Sequence, residues 1–292
     1  MSVTALVREP SPRLADDAEL TFLPRRPVDL ALARAQHAAY IEVLTRLGAE
    51  VVWLPPLPAC PDGVFVEDTV VIVDRLAVLT HPGAPSRRAE VDSLRPTLDR
   101  RGWATASIVA PATLDGGDVL QIGRTVYVGL STRSDRRAVE QLAALLDPLG
   151  RSVIGVPIDG ALHLKTAATA LPDGTILAIG EALDVGAFHA HEVVEPPETA
   201  GANVLLVGPT VVVPTSAPMT AELIAGRGFD VVSVDLSELE KVEAGPTCLS
   251  VLLPLPGRDR PPAATRPSPP GAKRSGHAGT PPGRQPPAGA PR

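Results

Sequence analysis

Aromatic side chains are nearly missing from this 292-residue chain: Phe, Tyr and Trp make up 3% of it, so any core must be built from Val, Leu, Ala and Ile. Cysteine is scarce as well. Cys60 and Cys248 stand far apart with no C-x-x-C spacing, which poorly serves either a disulfide scaffold or a cysteine zinc site. No apolar run reaches the length of about 18 residues that a membrane helix needs. The opening MSVTALVREPSPRL lacks the basic start and apolar stretch of a signal peptide. HExxH and a usable GxGxxG are also missing, which argues against a zinc hydrolase and a Rossmann dehydrogenase. The expectation is a cytoplasmic protein with reduced thiols.

Hydrophobic residues make up 44% of the chain, enough for one large core or two small ones. Charge is uneven. Residues 257–292 hold seven Lys/Arg and one Asp, so +6 of charge sits in a segment whose parent chain totals −6, and the body carries −12. An acidic body argues against nucleic acid as partner and suits a small cationic ligand better. The segment 257–292 has ten prolines and six glycines without apolar periodicity, and is expected to be a disordered tail behind a catalytic domain spanning 1–256.

The body carries a faint repeat. The stretches following Asp68, Asp118 and Asn203 each read as apolar strand, turn, second apolar strand and polar loop, then a helical stretch and another β-branched run. The stretch after His163 fits the strand-turn-strand part. Asp68, Asp118, His163, Asn203 and Cys248 are 50, 45, 40 and 45 residues apart. A unit of that size cannot bury its own sheet, so several must share a core. Polar residues at strand starts, repeated around a ring, would converge on its axis; for Asn203 the plainer reading, a residue that starts a strand or turn, is adopted. Individual elements agree with the unit. Asp29 caps a helix with Ala35, Ala39, Val43 and Leu47 at every fourth position, Gly48 ends it, and 51–54 form the next strand. Further helices are expected over about 137–149 and from Thr220, and a strand over 230–234.

Several residues could do chemistry. Cys248 follows a Gly-Pro loop at the mouth of the last apolar strand, where a thiol is either a nucleophile or a small buried hydrophobe. His163 sits at a strand start between two leucines, as an enclosed general base or a satisfied core histidine would. His189 and His191 are spaced for one face of a strand, but no third metal ligand accompanies them. Asp62, Glu67 and Asp68 surround a short apolar segment, and L-D-G-G-D adds Asp115 and Asp118. Enclosed carboxylates need cations, and a planar guanidinium with five N–H donors matches two of them; surface turns are the alternative. Arg87 and Arg133 occupy corresponding loops of two repeats and could clamp a carboxylate.

Taken together and in order, FVEDT, THPGAPSRR, the L-D/E-x-G-D turn, S-x-R, LHLKT and EK-x-x-x-G-x-TC-x-S closely resemble the dimethylargininases (dimethylarginine dimethylaminohydrolases) of the pentein, or guanidino-group-modifying, superfamily. The likeness spans roughly residues 4–253. It implies a five-bladed α/β propeller of ββαβ repeats around a pseudo-fivefold axis, and hydrolysis of methylated arginines to citrulline. In that scheme Cys248 is the nucleophile, His163 the general acid/base and Asp115 its orienting partner. Glu67 and Asp68 grip the guanidinium, Asp62 the amino group, and Arg87 and Arg133 the carboxylate, under a lid carrying Leu20. No metal or cofactor is implied, and the partner is a small guanidino substrate; a homodimer is left open. His81, Asp135 and Pro246 depart from common versions of the motifs. The rivals are an arginine deiminase or dihydrolase of the same superfamily and a non-catalytic propeller that binds or assembles.

Overall fold

The computed structural model of the chain describes residues 3–254. The expected tail, 257–292, lies outside the described residues. Five three-stranded sheets make up the body. Each has the same plan: a central strand antiparallel to the strand before it and parallel to the one reached through a helical stretch or loop. In the second sheet Leu76–Leu79 lies between Val70–Val73 and Ala104–Ser107. In the third, Thr125–Leu130 lies between Val119–Ile122 and Ser152–Pro157. In the fourth, Ile176–Ala178 lies between Ala168–Ala170 and Val193–Val194, and in the fifth Thr210–Pro214 between Leu205–Val207 and Asp230–Val234. The first sheet is made from both ends of the described chain: Val3–Val7 pairs parallel with Glu50–Trp53 and antiparallel with Val251–Pro254. The two incomplete units of the sequence thus complete each other, and the ring closes as a five-bladed α/β propeller.

Closure has a hydrophobic cause. Alternate residues of a strand face opposite sides of its sheet, and here both sides are covered. Val70 packs with Leu6, Leu79 and Val251 between sheets one and two, whereas Val71 and Val73 pack with Val119, Val126 and Leu142 between sheets two and three. Similar clusters fill the three remaining gaps. Strands buried on both faces read as unbroken apolar runs, which is why VVIV and TVVV show no alternation. With the apolar material spent between blades, polar groups are left to the centre.

The helix after Asp29 spans Leu30–Arg46, with the Asp29 carboxylate accepting from the amides of Ala31 and Leu32. Its buried face keeps the Val43 and Leu47 half of the expected stripe and departs from the rest. Ala33, Gln36, His37, Tyr40 and Leu44 are buried, while Ala35 and Ala39 are exposed. Alanine loses little by facing water, so the large Tyr40 and Leu44 decide which side docks. The later helix covers Arg136–Leu146, continued by a 3-10 turn to Leu149 and closed by left-handed Gly150. The one after Thr220 starts earlier, at Pro218, which needs no amide partner in the first turn.

Candidate active site

Each sheet's first strand is preceded by one helical turn: Val66–Thr69, Gly116–Asp118, Leu164–Ala167, Thr199–Ala202 and Pro246–Leu249. The Val66–Thr69 turn touches the turns at Gly116–Asp118 and at Pro246–Leu249, and the Leu164–Ala167 turn touches those on its two sides. Asn203 joins the last pair, its Oδ1 accepting from the Thr247 amide (3.1 Å) and its Nδ2 donating to the Thr247 hydroxyl (3.2 Å). Asn203 is therefore more than a strand starter; it ties the fifth turn to its neighbour and holds the loop that carries Cys248. His163 also differs from expectation. It sits one turn before its strand, at the N-cap of Leu164–Ala167, and this setback brings it level with Asp115, the residue before the Gly116–Asp118 turn. His189 and His191 lie on a turn rather than a strand, with His191 edge-on to Tyr127.

A cleft of about 380 Å³, partly open to solvent, lies over these turns; Asp62, Asp68, Arg87, Asp115, Arg133, His163 and Cys248 all line it. Cys248 is half-buried, and its Sγ accepts the Gly245 amide at 3.4 Å. Burial, together with the negative Glu67 and Asp68, pushes its thiol up to about 12. Tyr40 braces this loop from behind, donating to the Pro246 carbonyl at 2.9 Å with the Ser250 hydroxyl 2.7 Å away. Pro246 lacks only an amide that a first-turn residue would leave unpaired.

His163 Nε2 lies 3.0 Å from Asp115 Oδ2, and its Nδ1 is 3.9 Å from Asp68 Oδ1. Burial alone would lower its pKa, but Asp68, the Asp115 hydrogen bond and Asp118 outweigh that and raise it to about 9. The imidazolium is the form this pocket holds at neutral pH. Asp115 is fixed in turn by the amide of Gly83 on its Oδ1 (2.9 Å). Asp118, fully buried, accepts from the Leu164 amide at 2.9 Å and from Ser131 and Ser134, both at 2.6 Å, and so anchors the turn that carries His163. Burial lifts Asp118 to about 6, with His163 and the two hydroxyls opposing. The glycines of L-D-G-G-D are sterically required: a Cβ on Gly117 would come within 2.7 Å of both Asp68 Oδ1 and His163 Nδ1.

Two expected ligands are placed otherwise. Glu67 faces the opposite side, away from the cleft, where Lys165 Nζ lies 2.5 Å and the Thr247 hydroxyl 2.7 Å from its carboxylate. Burial raises its pKa against the pull of Lys165. Arg87 lines the cleft, but its donors are taken: Nη1 by Asp68, Nε and Nη2 by Glu90, and Nη2 also by the carbonyls of Asp62 and Phe65. Arg87 and His163 hold Asp68 ionised, with its pKa below the ordinary value despite burial. Arg133 keeps a freer guanidinium, bonded among the described residues to Glu19 and to Thr21 Oγ1, each at 3.1 Å. Asp62, raised to about 6 by burial against the pull of Arg87, accepts the Glu19 amide at 3.2 Å. Leu20 packs on the cluster between sheets one and five rather than on the cleft wall. Asp135 caps the helix Arg136–Leu146 through the Ala138 amide (3.0 Å). Asp68, Asp115 and His163 bring potential metal-donor atoms within 4.8 Å of one another, but Arg87 already supplies the cation that Asp68 needs.

The family model of eukaryotic N,N dimethylarginine dimethylhydrolases matches residues 25–181. An N(G),N(G)-dimethylarginine dimethylaminohydrolase of Streptomyces coelicolor is 46% identical over 252 residues, 86% of this chain and 97% of that one. The chain belongs to the dimethylarginine dimethylaminohydrolase family. A solved dimethylargininase of Pseudomonas aeruginosa, a Cys-to-Ser variant complexed with citrulline, is 34% identical; the match covers 87% of this chain and all of that one, with a TM-score of 0.81. The fold also extends beyond the dimethylargininases: the N-terminal domain of a cyanobacterial arginine dihydrolase matches at a TM-score of 0.75 with 19% identity, over 86% of this chain and 97% of that one.

Proposed function

We propose that this chain hydrolyses Nω-methylated arginines, asymmetric dimethylarginine and monomethylarginine, to citrulline and a methylamine. The single observation that carries the reading is the meeting of the Cys248 thiol, the His163–Asp115 pair and the ionised Asp68 in one cleft. The relatives described above, one of them a cysteine variant holding citrulline, support it.

Asp68 faces the substrate guanidinium, Asp62 its ammonium group and Arg133 its carboxylate. Arg87 and Glu67 act from behind, Arg87 by fixing Asp68 and Glu67 by holding the Thr247 hydroxyl beside the nucleophile. The segment around Leu20 covers the bound molecule. In the free protein the thiol is neutral, so activation must come with the substrate. A guanidinium close to the sulfur favours the thiolate, and its proton leaves to solvent. Thiolate attack on the guanidinium carbon gives a tetrahedral centre. Protonated His163 donates to the departing methylamine, leaving an S-alkylthiouronium on Cys248. Neutral His163 then takes a proton from water, which adds to that carbon; collapse breaks the C–S bond and releases citrulline. Each step uses only side chains, substrate and water.

The test is citrulline release from dimethylarginine, monomethylarginine and arginine by the wild type and by Cys248→Ala. The variant is expected to lose at least about 10³-fold. Near-normal release by Cys248→Ala would end the proposal, and faster turnover of arginine than of either methylated form would move it to a dihydrolase or deiminase. One or two methyl groups change pocket contacts by about 1–3 kcal/mol, enough to separate the three rates.

A further inference from the structure

Two glutamates on the cleft wall, Glu19 and Glu243, have no part in the steps above. Glu19 sits on the segment that crosses the cleft, its amide on Asp62 and its carboxylate on Arg133 Nη1 (3.1 Å) and the Ser86 hydroxyl. Two residues on, the Thr21 hydroxyl accepts from Arg133 Nη2 at 3.1 Å. Both outer nitrogens of Arg133 are thus met by side chains of one covering segment. That segment is seated by Glu243, whose carboxylate accepts the consecutive amides of Thr21, Phe22 and Leu23 at 2.9, 2.6 and 2.7 Å. Glu243 belongs to the stretch that leads to Cys248, and its backbone is left-handed, with φ of 63°. The side chain of Glu19 is 37% exposed, so it can turn out into water at small cost, whereas that of Arg133 is 11% exposed and stays in place.

A carboxylate paired with Arg133 is the contact assigned above to the substrate. We propose that Glu19 is an intramolecular stand-in for the substrate carboxylate: it occupies Arg133 in the free enzyme, yields when an α-amino acid binds, and so sets the affinity for the amino-acid end of the substrate. This rests on the reading of Arg133 given above. A guanidinium whose two outer nitrogens are engaged by Glu19 and Thr21 cannot also offer a fork to a second carboxylate, so binding includes the breaking of the Glu19 pair. A partly exposed pair of this kind is weak, which lets substrate win while still paying a measurable penalty.

The experiment measures KM for asymmetric dimethylarginine and for its decarboxylated analogue, Nω,Nω-dimethylagmatine, in the wild type, Glu19→Ala, Glu19→Gln, Arg133→Ala and the Glu19→Ala/Arg133→Ala double variant. Glu19→Ala is expected to lower KM for dimethylarginine about two- to fivefold without lowering it for the analogue. Glu19→Gln, which keeps the shape but not the charge, moves it in the same direction. In the Arg133→Ala background, Glu19→Ala produces no fall. If Glu19→Ala leaves KM for dimethylarginine unchanged or raises it while Arg133→Ala raises it strongly, the stand-in is refuted and the carboxylate clamp survives. If Arg133→Ala itself leaves KM unchanged, the clamp fails and the stand-in falls with it.

Discussion

Arg87 and Arg133 occupy the same place in successive units, each in the loop after the central strand of its sheet, and both are buried, at 5% and 9% exposure. Their surroundings differ completely. Arg87 is saturated by Asp68 and Glu90 of its own unit and by two carbonyls, whereas among the described residues Arg133 meets only Glu19 and Thr21, more than a hundred residues away in sequence. The two loops touch: a Cβ on Gly83 would lie 2.5 Å from the Arg133 carbonyl, and the Gly83 amide holds Asp115. Equivalent scaffold positions therefore carry unlike roles. One arginine is part of the framework that keeps a carboxylate ionised; the other is available to an incoming anion. What separates them is the use of the nearby acid: Glu90, three residues on, pairs with Arg87, whereas Asp135, two residues on from Arg133, caps the next helix instead.

The largest effect that could break this comparison is on stability. Arg87→Met should destabilise the fold by about 3–5 kcal/mol, because Asp68 and Glu90 would be left buried without their cation; urea unfolding measures it. A loss under about 1 kcal/mol would show that Arg87 is as free as Arg133. Next comes Asp115, at the joint of the two loops. His163 must be protonated to donate, and its pKa is raised to about 9, so kcat/KM should fall as pH rises through about 9. Asp115→Asn removes a charge that favours the imidazolium, so this limb should move to lower pH, with a rate loss of about 10²-fold. An unmoved limb would assign it to another group. On the acid side Asp62 must be ionised to hold an ammonium group, so affinity should weaken as pH drops through about 6. The smallest effect sharpens the contrast from the other side: Arg133→Ala should change stability by less than about 1 kcal/mol while raising KM. A large unfolding penalty there would make the two arginines alike after all.

Much of the scaffold could be read along the chain. The spacing of Asp68, Asp118, His163, Asn203 and Cys248 located the five strand starts to within a turn, because each precedes a strand buried on both faces and such strands are conspicuous apolar runs; the helical turn before each strand was not foreseen. The motifs around Cys248, His163 and Asp115 identified the three residues that now line the cleft together. Other features were invisible. Nothing in the spacing says that Arg87 is spent on Glu90, that Glu67 looks toward Lys165, or that Asn203 binds Thr247. Asp118 was legible as a ring position, but not as the anchor of the turn that follows His163. Glu19 and Glu243 gave no signal at all, since a glutamate in a polar loop has the same appearance whether it faces solvent or holds three amides.

The sequence by itself determined the period, the apolar strands, the turns that need glycine or proline and the residue types able to do chemistry, because these follow from local sterics and from the burial of side chains along one segment. Only the tertiary structure decided which ends of the chain share a sheet, which arginine is held by a buried acid and which by an exposed one, and which carboxylates stay charged. Those outcomes depend on groups brought together from distant segments, and on the cost of burying a charge, which no single segment sets alone.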